Sequence, residues 1–422
     1  MNAASIQQFK FTGPLGLAII SLPFSIGLCN LALGLFGISW IIEGRWKEKL
    51  KVFSNPLVLL ACLFFFLHVL AVFYSQDKQN AWFDLEKKVS LIALPIMLAS
   101  VSLKKTEVRF LLNLFIIACL TGTLICLGVA LRKISQGLTD INFDTYSALM
   151  FHSVQSTSTE PWGLLSYVEL ASGLGMHPSY LSLYLLFCVI ILIHHHADSF
   201  SHYSKGKKIV ILITLIYLGL FIVCLSSRII TIAFIFISIF SVFRFLKSNL
   251  YFKWSSAFLL VGLIVGFLYL NPVSRFRNYQ EIIATWPFLK SGLQTQSTTI
   301  RASLWSLSIQ SLPKINWLVG AGTGDVQHII HETSEEQHIT NILNSNDPHS
   351  QYLQTLLGLG VLGLATLLAY FFIPAFTAYQ IGNYFYLSFI FVFGLLCLTE
   401  SALELQKGIV FFSLFNSILV FH

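Results

Sequence analysis

Hydrophobic residues in this chain gather in long unbroken runs, not at alternate positions or on a narrow helical stripe. Runs of about 15 to 25 apolar residues recur, divided by short polar loops, as in helices that cross a bilayer. Residues 13–42 form one such stretch, broken by Pro23, Gly27 and Asn30, which predicts two short spans meeting near Gly27. Further spans are predicted at about 55–74, 89–103, 110–131 and from His177 to His194, then at about 209–225, 229–243 and 254–270. The last three fall near 352–376, 384–398 and 408–421. Residues 81–87 read as an amphipathic piece lying at the interface.

The fold expected is therefore all-α: a polytopic integral membrane protein of about twelve transmembrane helices in a single domain, 1–422. Two polar loops stand out, a smaller one at 132–176 with a Ser/Thr-rich middle, and a large one at 271–350. Inside the large loop, Ile300, Leu304 and Leu307 recur at helical spacing, so an amphipathic helix carrying Arg301 and Trp305 is expected there. At the loop's end, Asp347 is predicted to cap a helix beginning at Pro348, with His349 in its first turn.

Composition strengthens this reading. The chain has 422 residues, 55% hydrophobic and 11% charged, with a mean hydropathy of +0.75. Soluble proteins carry roughly twice that charged fraction. The net charge of +7 does not imply nucleic acid, because Lys and Arg fall mainly in short loops between spans. Their density places both termini and the basic loops (Arg45 to Lys51, Lys104 to Arg109, Lys205 to Lys208, Arg244 to Lys253) in the cytoplasm, and both large loops outside. That assignment puts Arg228, Arg301, His349 and Glu400 on one, outer side. Lys10 leads into a Pro-interrupted stretch without a cleavage pattern, so no removable signal peptide is expected. All seven cysteines lie in apolar segments, which argues against disulfides and Cys-based metal sites.

Few residues offer chemistry. Arg228 follows an apolar run and precedes another, a costly place for a guanidinium unless it snorkels to headgroups or meets an anion such as phosphate. His349 is an ionisable ring at the membrane face, or simply an interfacial polar residue. Gly320-Ala321-Gly322-Thr323-Gly324 has the wrong spacing and surroundings for a dinucleotide fingerprint; it suits a tight turn near a substrate or a helix end. His328, His331, Glu332, Glu335, Glu336 and His338 crowd one stretch, but without a zinc-type spacing, and no metal or other cofactor is expected. Glu400, at the boundary of the penultimate span, is placed to pair with an Arg such as Arg228 or to orient His349.

Arg301-x-x-x-Trp305, Gly320-x-Gly322-x-Gly324, His349 and Gly360-x-x-Gly363, in that order, resemble the signature region of the O-antigen ligase/polymerase superfamily. Ser227-Arg228 after an outward span and the ending Glu400…Gln406-x-Gly408 are similar to it too, giving a catalytic region at about 209–376. Where the family often has His-Asn, this chain has His349-Ser350. The resemblance implies a metal-independent glycosyltransferase of the bacterial inner membrane, active at the periplasmic face. Its donor would be a glycan on undecaprenyl diphosphate and its acceptor lipid A–core, or, for an O-antigen or capsule polymerase, another lipid-linked repeat unit. His349, Arg228 and Arg301 would be catalytic, and Arg228, Arg301, Trp305, Gly322 and Glu400 would bind substrate. His349 would act either as base or as diphosphate ligand. A lipid or polysaccharide transporter is the alternative from another class; the scarcity of ionisable residues within spans and the lack of an internal repeat count against it.

Overall fold

The computed structural model describes residues 3–136, 161–197, 199–246, 249–271, 297–337 and 347–422. Its longer helices are α1 (Ala3–Ser21), α2 (Ile26–Glu43), α3 (Pro56–Tyr74), α4 (Lys78–Ser100), α5 (Lys105–Ser135), α6 (Pro178–His196) and α7 (Lys205–Cys224). They continue as α8 (Arg228–Phe245), α9 (Leu250–Leu270), α10 (Ser297–Gln310), α11 (Val326–Glu336), α12 (Gln351–Gln380), α13 (Tyr384–Thr399) and α14 (Gln406–Phe421). No strand occurs among the described residues beyond one isolated bridge, Asn316 with Gly320.

Eight of these helices are long and apolar enough to cross a membrane, and α13 and α14 are shorter apolar helices. The protein is an integral membrane protein, and the apolar helices alone do not fix the span count at twelve. The break at Gly27 appears as the turn between α1 and α2, where Ser25 caps α2 through Leu28 N–H. Residues 81–87 are not a separate interfacial piece. They begin one continuous helix, α4, that Asp77 caps through Asn80 N–H. The Ser/Thr-rich stretch 153–159 and His338 lie outside the described residues.

The chain forms two compact units, 1–114 with 300–422, and 115–299. In the second, α6 is buried from Pro178 to Leu192 and packs on α7 and α8, as an all-round apolar helix must. His177 caps it, its Nδ1 accepting from Ser179 N–H at 3.3 Å.

In the first unit, α4 packs on α3 and α14, and α12 packs on α3 and α13. Helix α12 is broken at Gly360, whose φ of 64° and ψ of −163° lie outside the helical region. A break leaves backbone donors and acceptors unpaired, which a membrane interior does not tolerate. The glycine-rich loop supplies the missing partners. Ala321 and Gly322 N–H donate to the carbonyls of Leu357 and Gly358 at 2.9 and 3.0 Å. Val361 and Leu362 N–H donate in turn to Trp317 and Leu318 carbonyls at 2.9 and 3.2 Å. The loop therefore sits against a helix break, one of the two places its sequence suggested. On its other side it meets the α3–α4 turn, where Asp325 accepts Gln76 and Asp77 N–H at 2.7 and 2.8 Å.

Gly322 is required at this junction. Its φ is +107°, and a Cβ there would lie 2.2 Å from Ser75 Oγ and 2.8 Å from Ser75 Cα. Gly34, in contrast, lies within α2 with open space around it. Gly322→Ala is expected to lose about 3 kcal/mol or more and to fail to give a monodisperse detergent-solubilised protein. Gly34→Ala should match or exceed the parent's thermal midpoint in size-exclusion thermostability measurements.

Candidate functional site

The amphipathic helix expected around Arg301 is α10. Leu304 and Leu307 are fully buried in a small core with Val326 and Ile330 of α11 and Leu357 of α12. Burying side chains of this size is worth roughly 2 kcal/mol each, which fixes the helix on the first segment of α12. Ser311 Oγ donates to Thr333 Oγ1 at 2.9 Å, tying the end of α10 to α11. Arg301, near the start of α10, is thereby held in place.

Its partner is Glu400. Arg301 Nη2 donates to Glu400 Oε1 at 2.6 Å, and the other carboxylate oxygen lies 3.7 Å from His349 Nδ1. The second distance is a charge contact and too long for a hydrogen bond. Glu400 is buried, with 8% of its side chain exposed, whereas Arg301 keeps 29% and His349 21%. A carboxylate so enclosed needs compensation, and the Arg301 guanidinium supplies it from another element, with the His349 ring adding to it when protonated. Three residues far apart in the chain thus share one site, with two of them partly open to solvent or substrate.

The start of α12 differs from the expected cap. The helix begins at Gln351, not Pro348, and Ser350 is its N-cap residue without a side-chain cap bond. Asp347 is spent elsewhere: its Oδ1 accepts both His349 N–H, at 2.9 Å, and the Ser401 hydroxyl. His349 precedes the helix in the left-handed region, with φ of 47°. That conformation costs an L-residue roughly 1–2 kcal/mol, so the surrounding bonds must impose it.

Residues 400–404 complete the framework. Gln351, fully buried, accepts Leu403 N–H at 2.7 Å and donates to Glu404 Oε1 at 3.1 Å. Glu404 also forms an ion pair with Lys88 of α4, whose side chain is 1% exposed. Lys88 is ten residues beyond Lys78, about 15 Å along α4 from the turn that Gly322 packs on. The His349 end of α12 therefore lies well below that turn, level with the tops of α13 and α14. Those helices have 16 residues each and reach about 24 Å. The sequence reading missed Lys88, Gln351 and Glu404. A lysine followed at once by Val-Ser-Leu-Ile was the available signal.

The other expected site residues fall as follows. Trp305 is half-buried one turn after Arg301, and its indole N–H is buried without a hydrogen-bond partner among the described residues. Gly322 N–H is committed to Gly358, so what the structure shows of it is packing. Glu332 and Glu336 pair with Lys314, at 3.7 and 2.8 Å, and His331 lies 3.7 Å from Glu335. Arg228 belongs to the second unit, as the first residue of α8. Ser226 before it is left-handed, with φ of 51°, and the N-cap Ser227 makes no side-chain cap bond. A helix start favours anions, and a guanidinium at its first residue adds to that field.

The O-antigen ligase family model matches residues 213–368. Over that stretch the chain is similar to the O-antigen ligase family. Its matched region holds Arg228, Arg301, Trp305, Gly322 and His349, and stops short of Glu400. Comparison with curated proteins finds no match. That match supports a glycosyltransferase family of the ligase/polymerase type, and lipid-linked glycans are the substrate class the family suggests.

The pairing inside the ligase domain's neighbourhood can be measured as stability. Removing the guanidinium alone leaves a buried carboxylate, at a cost of about 1–3 kcal/mol. Arg301→Met is therefore expected to lower the thermal midpoint more than Arg301→Met combined with Glu400→Gln. A double-mutant loss equal to the sum of the two single-mutant losses would show the two groups to be uncoupled.

Proposed function

We propose that the protein transfers a glycan from undecaprenyl diphosphate to an acceptor hydroxyl at the periplasmic face of the bacterial inner membrane. The acceptor favoured is lipid A–core, as for an O-antigen ligase. The observation that carries this reading is the single carboxylate, Glu400, shared by Arg301 and His349. It places a fixed cation and a proton acceptor side by side, with both partly exposed.

The chemistry needs that pair. The acceptor oxygen forms a bond to the anomeric carbon while the bond from that carbon to the diphosphate oxygen breaks. The electron pair of the broken bond stays on the diphosphate, and the hydroxyl proton moves to His349. Glu400 beside Nδ1 favours the tautomer with its N–H there, which makes Nε2 the acceptor, and it stabilises the imidazolium formed. This supports His349 as base over His349 as diphosphate ligand.

Negative charge grows on the leaving diphosphate. Arg301 spends one of its five donors on Glu400 and has others to offer; Arg228, the first residue of α8, is the other guanidinium proposed to bind phosphate, on the resemblance of its motif. Planar forks matched to phosphate oxygens do the work that a divalent cation does elsewhere. Trp305, one turn from Arg301, offers an indole N–H and a ring face to sugar or lipid. In this reading both termini are cytoplasmic, the loops 132–176 and 271–350 are periplasmic, and no nucleic acid is a partner.

Purified protein given a lipid-diphosphate glycan and an acceptor is expected to release undecaprenyl diphosphate and form glycosylated acceptor. His349→Ala should abolish this while the protein still inserts in the membrane. Arg228→Lys and Arg301→Lys should each lose about a hundredfold in turnover despite retained charge, and full activity in both would refute bidentate recognition. A chelator is expected to leave the rate unchanged; loss restored by a divalent cation would contradict the arginine-only account. In cells lacking the gene, polymer left on the carrier lipid and missing from lipid A–core would identify a ligase. Single repeat units on core would identify a polymerase.

A further inference from the structure

We propose that Lys88, through its ion pair with Glu404, is a positioning residue for the transfer reaction. This inference rests on the function proposed above. Lys88 lies on α4, outside the matched ligase domain and in contact with none of the reacting groups named there.

The chain of contacts is short. Lys88 Nζ pairs with Glu404 Oε2, and Glu404 Oε1 accepts Gln351 Nε2 at 3.1 Å. Gln351 in turn holds Leu403 N–H at 2.7 Å and places its own Nε2 3.2 Å from Thr355 Oγ1. It is the first residue of α12, two positions after His349. The turn it grips begins with Glu400 and Ser401, and Ser401 is bonded to the same Asp347 oxygen that holds His349 N–H. Lys88 and Gln351 are buried, and Glu404 keeps only 15% of its side chain exposed. The network thus clamps both strands of chain that carry the site, one bearing His349 and the other Glu400.

A buried ammonium is a poor device for stability alone, because an apolar pair of similar size does as well or better. What the charged pair adds is direction. Glu404 has one oxygen on Lys88 and the other on Gln351, so rotation of either end moves the α12 start relative to the 400–404 turn. His349, held at a left-handed φ of 47°, depends on that register. Misplacement of about 1 Å at a reacting group is enough to cost about a hundredfold in rate.

His68, a buried imidazole on α3, has its Nδ1 2.8 Å from the Phe64 carbonyl of its own helix.

The test compares Lys88→Met, the double apolar variant Lys88→Met with Glu404→Met, and the conservative variant Lys88→Arg. The double apolar variant leaves no unpaired charge at this pair and is expected to be as monodisperse as the parent. Its kcat should nevertheless fall about a hundredfold, with KM for the lipid-diphosphate glycan within about twofold of the parent. Lys88→Arg, which keeps both the ion pair and the acceptor for Gln351 Nε2, should retain most of the parental kcat. A double apolar variant that turns over at the parental rate, or a loss confined to KM, would overturn the positioning role while leaving the transferase reading intact. A parent protein inert toward the lipid-diphosphate glycan would overturn both.

Discussion

A single buried carboxylate sets the geometry of the first unit's functional end. Glu400 has lost most of its water, a cost of several kcal/mol unless compensated. Its compensation comes from Arg301 on α10 and His349 before α12, so those elements cannot move independently of the turn after α13. The apolar contacts of Leu304 and Leu307 hold α10 from one side, and Asp347 holds the His349 backbone and Ser401 from another. The result is a guanidinium and an imidazole held in place around one carboxylate. Such pre-arrangement is what charge stabilisation in a transition state requires.

Residues 351–359 lie before the break in α12, where Gln351 reaches Glu404, which pairs with Lys88 of α4. The freed backbone groups are paired by the loop that contains Gly320 and Gly322. The glycines so prominent in the sequence therefore serve the active groups at a distance: they let two backbones meet closely enough to satisfy a broken helix.

Much of this was legible before the structure. The apolar runs predicted the membrane helices, because burial in lipid leaves a strong compositional trace. The spacing of Ile300, Leu304 and Leu307 predicted α10, and Leu304 and Leu307 are buried as expected. Glu400 was singled out with two possible partners, Arg228 and His349; the structure puts Arg301 and His349 against it. The cap at Asp347 was misplaced because an Asp-Pro pair reads as a helix start locally, whereas Ser401, 54 residues away, claims the same oxygen. Lys88 and Glu404 escaped notice for a related reason. Each looks like an ordinary charge at a membrane boundary, and only a contact spanning 316 residues reveals the pair. Long-range polar pairing leaves no periodic mark on a sequence.

The central claim is that a lipid diphosphate is held by the Arg301 guanidinium beside an imidazole that faces Glu400. A structure of the protein with a bound polyprenyl diphosphate tests it most directly. The account predicts diphosphate oxygens within hydrogen-bond distance of Arg301, with His349 Nδ1 still facing Glu400. A diphosphate bound away from Arg301 would contradict it.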